Sequence, residues 1–518
     1  MQGERSLIRA VGAMSAVTAS SRVLGYARDT LQAALLGAAH SSDAFVIAYR
    51  IPNMLRRLVA EGAVTSTFVP EFTGLLQGRD RRSAWRFAGS MVYVLSAALA
   101  ALVVLGVLGS PWLVRLLAWG LAVSPATFDL TVALNRLMLP YVLFISLSAV
   151  AAGMLNAFEF YALPAATPIL LNLAVIASAL ALRDRFPDPS FAFAFGVLTG
   201  GVLQLAVQVP LLLRLGLDLR PPRPFDVEGV RRVVRVLLPR MFGAGITQVN
   251  LVVDTQFAAA LRPGSVSFLY YAVRVTELTL GLFAVSLSTV LLPRLSRAAG
   301  GGDLALVRAT LGTALRLLLF VTIPATIGLV ILRVPIIHVL FERGRFGAAD
   351  TALTAGALGW YAIGLLPYAA IGILATAFHA FRDTRTPMRL GLLTFAAHLG
   401  LNAALSGPMG HAGIALSTSL TAWLDATLLL LLLRRRAGPI RAGLPLTAAR
   451  SLGAGGVMAV VLALVSGRME IGALQGFALK GAALGAMIGG GAVVYLGAHR
   501  LLGGREAGAI AAALRKDA

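Results

Sequence analysis

Long apolar segments follow one another along almost the whole chain, separated by short segments that contain charged residues and prolines. A helix that crosses a bilayer needs about 20 mostly apolar residues. Segments of about this length or longer occur at residues 6–36, 43–76, 87–108, 128–154, 161–182, 191–213, 233–261, 265–292, 309–332, 351–378, 387–406, 411–433, 448–467 and 476–499. We number them spans 1 to 14; spans 1, 2 and 7 are interrupted by polar residues. The pattern predicts an all-α integral membrane protein with about 14 transmembrane helices.

The overall composition supports a membrane protein and excludes several kinds of site. The chain has 518 residues, of which 58% are hydrophobic and 13% charged, whereas charged residues make up about 25% of a soluble domain. There is no cysteine, which excludes disulfides and thiolate metal sites. The six histidines show neither HxxxH nor HExxH spacing. We therefore expect no cofactor and no metal site built from cysteines or paired histidines.

The formal net charge of +22 has a topological explanation. In a soluble protein it would suggest a nucleic-acid partner. Here most of the 45 Lys and Arg residues fall in the termini and in alternate loops, as in the run Arg434, Arg435 and Arg436. Because positive residues concentrate in cytoplasmic loops, we expect both termini in the cytoplasm and no nucleic-acid partner.

An internal repeat divides the chain. Residues 29–32 read DTLQ and residues 254–256 read DTQ, while SSDAFVIAYRI (41–51) aligns with SVSFLYYAVRV (265–275) at an offset of 223–225 residues. The alignment pairs Arg50 with Arg274. Spans 1–2 therefore correspond to spans 7–8, and we predict two pseudo-symmetric lobes related by a parallel repeat. Transporters with such repeats bind their substrate between the repeats near the midplane.

The repeat and the polar segments predict four regions. The N-lobe comprises residues 1–214 with spans 1–6. A cytoplasmic linker, rich in proline and charge, covers residues 215–232. The C-lobe comprises residues 233–433 with spans 7–12. Residues 434–518 hold spans 13–14 and a cytoplasmic C-terminus.

Charged residues lie within the predicted spans, where an Arg at the bilayer centre costs about 2.5–3.5 kcal/mol. The set consists of Arg22, Arg28 and Asp29 in span 1, Asp43, Arg50, Arg56, Arg57 and Glu61 in span 2, and Arg274 and Glu277 in span 8. Arginine suits bidentate contact with phosphate, so one interpretation is a central cationic cavity for a phosphate-bearing substrate. The other interpretation is ion pairs that only join helices, a role that suits Asp29 and Glu61.

A second, sparser set of polar residues lies in the C-terminal half. Asp254, Asn402 and Thr418, with Asp425, are oxygen-bearing residues within predicted spans. Such ligands can hold Na⁺ or relay a proton. Isolated hydrogen bonds between helices are the alternative interpretation.

Two motifs resemble a known family. SRVLGYARD (21–29) and SDAFVIAYRIPNMLRRLVAEGAVTSTFVPEF (42–72) resemble the N-terminal signature of the MurJ (MviN) lipid II flippases. These belong to the multidrug/oligosaccharidyl-lipid/polysaccharide (MOP) exporter superfamily. The resemblance continues at residues 139–172, 200–205 and 265–278. It implies a MATE-like fold of 14 helices in two lobes around a V-shaped central cavity, with a groove for the lipid tail at spans 13–14.

The resemblance also implies roles for single residues. It assigns Arg22, Arg28, Arg56 and Arg274 to the substrate cavity, and the repeat adds Arg50. Asp43 and Glu277 correspond to acids of the family, and Arg57 with Glu61 is expected as a supporting pair. Two positions depart from the family pattern: Val273 stands where many members have an acid, and Ser406 stands where a sodium site would use one.

The implied function is export of lipid II, an undecaprenyl-pyrophosphate disaccharide-pentapeptide, to the outer leaflet for peptidoglycan synthesis. We expect alternating access in which Asp43 controls the outer mouth, driven by Na⁺, H⁺ or the membrane potential. The expected location is the bacterial inner membrane. Expected partners are lipid II, membrane lipids and the cell-wall synthesis machinery, and the chain is expected to be a monomer.

Other functions remain open from the residues alone. An exporter of another polyprenyl-linked glycan fits the charges equally well. A MATE-type drug antiporter prefers cations and fits them poorly. A membrane enzyme of polyprenyl-phosphate metabolism would need a catalytic acid or histidine cluster, which the sequence does not show. A scaffold that transports nothing would not require cationic residues inside the membrane.

Overall fold

The computed structural model describes residues 2–57, 65–78, 80–120, 124–218, 220–222, 224–440, 443–469 and 471–508, with backbone alone at 2–16, 65–66, 237–247 and 282–290. Within these ranges the chain is helical, and the one extended pairing is an isolated bridge between Arg343 and Phe346. The chain packs as two compact units, Met1–Ser267 and Phe268–Ala518. The predicted all-α fold is therefore confirmed.

Eleven helices occur among the described residues of the first unit, before α12 begins. They are α1 (Gln2–Leu36), α2 (His40–Arg56), α3 (Thr65–Gln77), α4 (Arg81–Leu108), α5 (Ser110–Leu117), α6 (Pro125–Met138), α7 (Tyr141–Ala157), α8 (Ala162–Leu182), α9 (Ser190–Ala206), α10 (Val209–Arg214) and α11 (Val227–Ala259).

The second unit begins within α12. Its helices are α12 (Ser265–Gly300), α13 (Leu304–Phe341), α14 (Ala348–Ile363), α15 (Leu365–Ala380), α16 (Arg385–Met409), α17 (His411–Ala437), α18 (Leu444–Arg468) and α19 (Phe477–Leu501). A short 3₁₀ turn, Ile471–Ala473, precedes α19.

Every predicted span coincides with a helix or a pair of consecutive helices. Among the described residues, nine segments are long and apolar enough to cross a membrane, and α14 with α15, bent by 41°, forms a tenth. The other four predicted spans correspond to α1, α2 with α3, α11 and α12. These helices carry the charged candidate residues, which lowers their hydropathy. The multi-pass membrane architecture is confirmed, and the count of 14 crossings stays a prediction.

Part of the predicted linker is helical. Helix α10 ends at Arg214 and α11 begins at Val227, so residues 227–232 are already helical. Asp226 accounts for this start, because its carboxylate accepts a hydrogen bond from the Gly229 N–H at 2.9 Å and caps α11. The Asp226 N–H also donates to Ser90 Oγ at 2.9 Å, which ties the linker to α4.

Aromatic side chains hold α3, α4 and α7 together in the first unit. The Phe68 ring lies 5.6 Å from Phe72 and 5.4 Å from Phe87, and Trp85 stacks on Phe158 at 5.7 Å. Phe68, Phe72 and Phe87 are fully buried. This cluster fixes the first turns of α4 against its neighbours, which matters for a pocket described below.

In the second unit, the loop between α15 and α16 is tied to the end of α17. Asp383 accepts hydrogen bonds from the Thr386 N–H at 3.0 Å and hydroxyl at 2.8 Å, and it pairs with Arg436 at 2.8 Å. The bond from the Thr386 N–H is the main cause that lowers the pKa of Asp383. The carboxylate therefore stays ionised and keeps this basic loop attached to α17.

Candidate functional site

Arg28 and Asp29 form an ion pair on α1 that is anchored to α8. Arg28 Nη2 lies 2.7 Å from Asp29 Oδ1, and both side chains are largely buried. Arg28 Nη1 also donates to Asn172 Oδ1 at 3.2 Å. The Asn172 amide in turn donates to the Ser21 carbonyl at 3.1 Å, so Asn172 contacts α1 both at Ser21 and at Arg28. The sequence reasoning did not identify Asn172; its signal is an amide in the apolar segment PILLN.

Arg22 lies one and a half turns before Arg28 on the same helix. Its side chain is exposed in this structure, whereas Arg28 is half-buried. The two arginines are six residues apart, which is about 600° around the helix axis and places them on different sides of α1. Arg22 and Arg28 therefore do not form one cluster on α1 by themselves.

Asp43 is buried in the first turn of α2 and binds the start of α12. Its Oδ2 accepts from the Gly264 N–H at 2.7 Å, and its Oδ1 accepts from the Ser267 N–H at 2.8 Å and hydroxyl at 2.6 Å. Free N–H groups at a helix N-terminus favour a negative charge. Asp43 thus acts as a cap supplied by another helix, a role that the sequence did not indicate.

Arg50 reaches a hydroxyl on α11. Its Nη1 donates to Thr255 Oγ1, and the Thr255 hydroxyl donates to the Leu251 carbonyl at 2.5 Å. Thr255 is fully buried. The contact places the guanidinium of Arg50 beside the part of the chain that the sequence repeat aligns with α1.

Arg56 lies in the last turn of α2 and bonds within its own helix. Its Nε and Nη2 both donate to Asn53 Oδ1 at 3.1 Å. Arg57 follows as the C-cap residue, and its N–H bonds the Asn53 and Met54 carbonyls. Glu61, the expected partner of Arg57, lies outside the described residues, so that pair stays a prediction. Helix α2 runs through Pro52 to Arg56.

Arg274 on α12 is held by two residues of the same helix. Its Nη1 lies 2.9 Å from Glu277 Oε2, its Nη2 donates to the Tyr270 hydroxyl at 3.2 Å, and its guanidinium lies 4.8 Å from the centre of the Tyr270 ring. The Arg274 side chain is 29% exposed and Glu277 is 49% exposed. This arginine is therefore oriented by neighbours while remaining accessible.

The candidate residues of the C-terminal half show a different buried network. Asn402 is fully buried, and its Nδ2 lies 3.2 Å from His398 Nε2. His398 Nδ1 faces the Thr421 hydroxyl at 3.3 Å and the Ser417 hydroxyl at 3.4 Å. These contacts join α16 to α17. His398 was not singled out from the sequence; its signal is a lone histidine in an apolar span.

The remaining candidates for a cation site make local contacts. The Thr418 hydroxyl donates to the Ile414 carbonyl at 2.8 Å, one turn earlier in α17. Asp254 is half-buried on α11, in the first unit. In the part of the chain that the structure describes, no group of three His, Cys, Asp or Glu side chains could hold a metal ion.

Comparison with known proteins identifies the relatives of this chain. Residues 32–482 match the family model described as lipid II flippase MurJ. The lipid II flippase MurJ of Burkholderia cenocepacia is 39% identical over 83% of this chain and 84% of its own length. A probable lipid II flippase MurJ of Rhizobium tropici is 34% identical over 99% of this chain and 97% of its own length.

Solved structures give a consistent result. A lipid II flippase MurJ in an inward closed conformation matches with a TM-score of 0.76 and 27% identity, over 94% of this chain and 98% of that one. An inward-facing MATE transporter of the MOP superfamily matches with a TM-score of 0.70, over 81% of this chain and 95% of that one. Its identity is 14%, so it shows a common fold alone.

Proposed function

The chain belongs to the MurJ family of lipid II flippases, and from that premise we propose that its membrane arginines bind the pyrophosphate of lipid II during transport. It is a multi-pass inner-membrane transporter that moves lipid II and leaves the lipid chemically unchanged. The observation that carries the proposal is the placement of charge. Arg22 and Arg28 lie within α1, Arg50 and Arg56 within α2 and Arg274 within α12, all helices that correspond to predicted membrane spans.

The contacts of these arginines suit phosphate recognition. Arg28 donates to Asn172, Arg50 to Thr255 and Arg56 to Asn53, and Arg28 also pairs with Asp29, so each guanidinium has a defined orientation. A planar guanidinium matches the geometry of phosphate oxygens. We infer that Arg22, Arg28, Arg50, Arg56 and Arg274 together provide the cationic surface for the pyrophosphate, with Asp29 and Glu277 orienting Arg28 and Arg274.

We propose alternating access as the transport cycle. The contact of Asp43 with Gly264 and Ser267 would join α2 to α12 in one state and separate in another. Related MATE transporters with this fold have been solved inward-facing and outward-facing, with TM-scores of 0.70 and 0.56 to this chain. Arg57, Glu61 and Glu277 are proposed as supporting charges of this gate.

The proposed topology follows from the distribution of positive charge. Both termini are placed in the cytoplasm, the lobes comprise residues 1–214 and 233–433, and residues 434–518 provide the groove for the lipid tail. The proposed working form is a monomer in contact with lipid II, membrane lipids and the cell-wall synthesis machinery.

Energy coupling is proposed to come from Na⁺, H⁺ or the membrane potential. Asp254, Asn402 and Thr418 are the proposed cation ligands. Of these, Asn402 contacts His398 on the same helix.

The direct test of the substrate site is a lipid II flipping assay in proteoliposomes. We expect Arg28→Ala and Arg56→Ala each to lower the flipping rate about tenfold or more, because a hydrogen bond to a charged group contributes about 1.5–3 kcal/mol and about 1.4 kcal/mol is a factor of ten. Arg183→Ala is the matched control, since Arg183 lies in a loop and pairs with its neighbour Asp184. Wild-type rates for both site variants would refute the assignment.

A second experiment separates lipid II from other polyprenyl-linked glycans. Bacteria depleted of their own lipid II flippase should regain growth when they express this chain. If a well-expressed chain fails to restore growth, the substrate is a different lipid-linked glycan. Mass analysis of the transported lipid tests the transporter assignment, because a flippase returns it unchanged.

A further inference from the structure

A basic pocket lies at the first turns of α4, and none of its lining residues is among those assigned to lipid II. Its volume is about 730 Å³. It is open to the surface and lined by residues of α4, the end of α10 and the segment that follows α10. Its lining includes Trp85 and five arginines, Arg81, Arg82, Arg86, Arg214 and Arg220. Asp218 is the only acid among the lining residues that the structure describes.

The pocket lies where two membrane segments end. Helix α4 is an apolar membrane helix that begins at Arg81, and the apolar segment Ser190–Arg214 ends at Arg214. The two segments therefore bring their ends to the same face of the membrane. Trp85 is in the second turn of α4, and indole side chains favour the interface between lipid and water. The pocket is thus positioned at the level of lipid head groups.

Specific contacts hold the wall opposite α4 in place. Gly216 has φ +107°, a backbone conformation that suits glycine, and a Cβ there would lie 3.1 Å from Trp85 Nε1. Pro222 packs on Gly89, where a Cβ would lie 3.5 Å from Pro222 Cγ. The hydrogen bond from Asp226 to Ser90 closes the segment against α4 at 2.9 Å. These contacts hold the segment after α10 against α4 at the open pocket.

The acids near the pocket already have backbone partners. Asp80 accepts the Ser83 N–H at 3.0 Å and caps α4. Asp218 accepts the Arg220 N–H at 2.9 Å. Neither contact uses an arginine side chain, although Asp80 attracts Arg86 electrostatically.

The arginine side chains differ in what they contact. Arg81 Nη2 donates to the Leu215 carbonyl at 2.5 Å, and its guanidinium lies 5.6 Å from the Phe158 ring centre. For Arg82, Arg214 and Arg220, the described residues offer the guanidinium neither a hydrogen-bond acceptor nor an ion-pair partner. The Trp85 indole N–H is also without an acceptor among the described residues. The pocket therefore has a strong excess of positive charge and of donors.

We propose that this pocket binds a phosphate group, as carried by the head group of an anionic phospholipid at this face of the membrane. Guanidinium groups bind phosphate oxygens in pairs of parallel hydrogen bonds. Basic pockets between membrane helices accommodate phosphorylated head groups. Leu213, next to Arg214, is 44% exposed and provides apolar surface beside the pocket for an acyl chain.

The test uses the purified full-length chain in a neutral detergent and follows its unfolding temperature. Three probes are titrated at matched ionic strength: short-chain phosphatidylglycerol, short-chain phosphatidylcholine and inorganic phosphate. The pocket variant is Arg82→Gln/Arg214→Gln/Arg220→Gln. The control variant is Arg389→Gln/Arg434→Gln/Arg435→Gln, which removes the same charge from exposed arginines of the second unit.

We expect a saturable rise in the unfolding temperature of the wild type with phosphatidylglycerol and not with phosphatidylcholine. The pocket variant should bind at least about tenfold more weakly, because it lacks three guanidinium groups that can contact the phosphate, while the control variant keeps the wild-type affinity. A saturable response to inorganic phosphate that the pocket variant loses supports a site for the phosphate group alone.

Three results would overturn the proposal: no response of the wild type, an equal response to phosphatidylcholine, or equal loss in the pocket and control variants. The last result would mean that total charge, and not the pocket, attracts the lipid. If the triple variant unfolds at a lower temperature before any probe is added, the single variants Arg82→Gln and Arg214→Gln take its place. Because none of the substituted residues is among those assigned to lipid II, lipid II flipping is a separate readout.

Discussion

At the scale of single residues, the charged side chains of α1 and α2 obtain their partners from distant parts of the chain. Arg28 bonds Asn172 on α8, and Arg50 bonds Thr255 on α11. Asp43 bonds the backbone before and within the first turn of α12. Each contact fixes the orientation of a charged side chain. Such a side chain would be costly to expose to lipid.

Replacing Asp43 by Asn tests the most completely bonded of these side chains. Asp43 accepts three hydrogen bonds, and an amide in its place presents a donor to either the Gly264 N–H or the Ser267 N–H. We expect a loss of about 1–3 kcal/mol in the free energy of unfolding, the penalty for a buried donor without an acceptor. Chemical unfolding in detergent measures it, and the flipping assay should show a slower rate.

The matched control is Asp129→Asn. Asp129 is exposed on α6, and its side chain makes no hydrogen bond with any described residue. Its variant should unfold like the wild type. If Asp43→Asn and Asp129→Asn unfold alike, the three hydrogen bonds of Asp43 contribute no net stability.

At the scale of helices, glycines on α9 allow α9 to pack closely against α8. Gly196 and Gly200 are four residues apart on α9, and a Cβ on them would lie 2.6 Å from Val175 Cα and 3.0 Å from Leu171 Cα, respectively. Small residues at this spacing let the backbones of two membrane helices approach each other. The glycines therefore set the distance between α8 and α9. Arg28 is connected to α8 by its hydrogen bond to Asn172.

We expect Gly196→Val to separate these helices and to lower the free energy of unfolding by about 1–3 kcal/mol or more, the usual cost of overpacking. Gly400→Val is the control, because Gly400 is also within a membrane helix but a Cβ there would have no neighbouring atom within 4 Å. Thermal unfolding of both variants distinguishes overpacking from the general cost of valine in a helix. Equal unfolding temperatures would contradict the role of Gly196.

At the scale of the whole molecule, transport of a pyrophosphate moves negative charge across the membrane. A potential of about 100 mV changes the energy of each charge that crosses it by about 2.3 kcal/mol. An inside-negative potential should therefore accelerate outward flipping in oriented proteoliposomes, and a potassium diffusion potential clamped with valinomycin measures the effect. The arginines reduce the net charge that moves, so this value is an upper bound. A rate that is independent of voltage would leave Na⁺ or H⁺ as the driving force.

The helices and the family were predictable from the sequence because both depend on local information. Every apolar run long enough for a membrane coincides with an observed helix or helix pair, and the charged motifs of α1 and α2 pointed to the correct family. The ion pair of Arg28 with Asp29 joins adjacent residues and is equally local.

The tertiary structure alone decided which residues meet. Helix packing supplied the partners of the charged side chains, namely Asn172, Thr255 and the backbone of Gly264 and Ser267. The periodicity along one helix contains no information about the helix that faces it. The basic pocket has the same origin, since Arg82 and Arg214 are far apart in the sequence and meet where two membrane helices end. The sequence by itself determined where the charge lies along the chain, and the packing of the helices determined what that charge contacts.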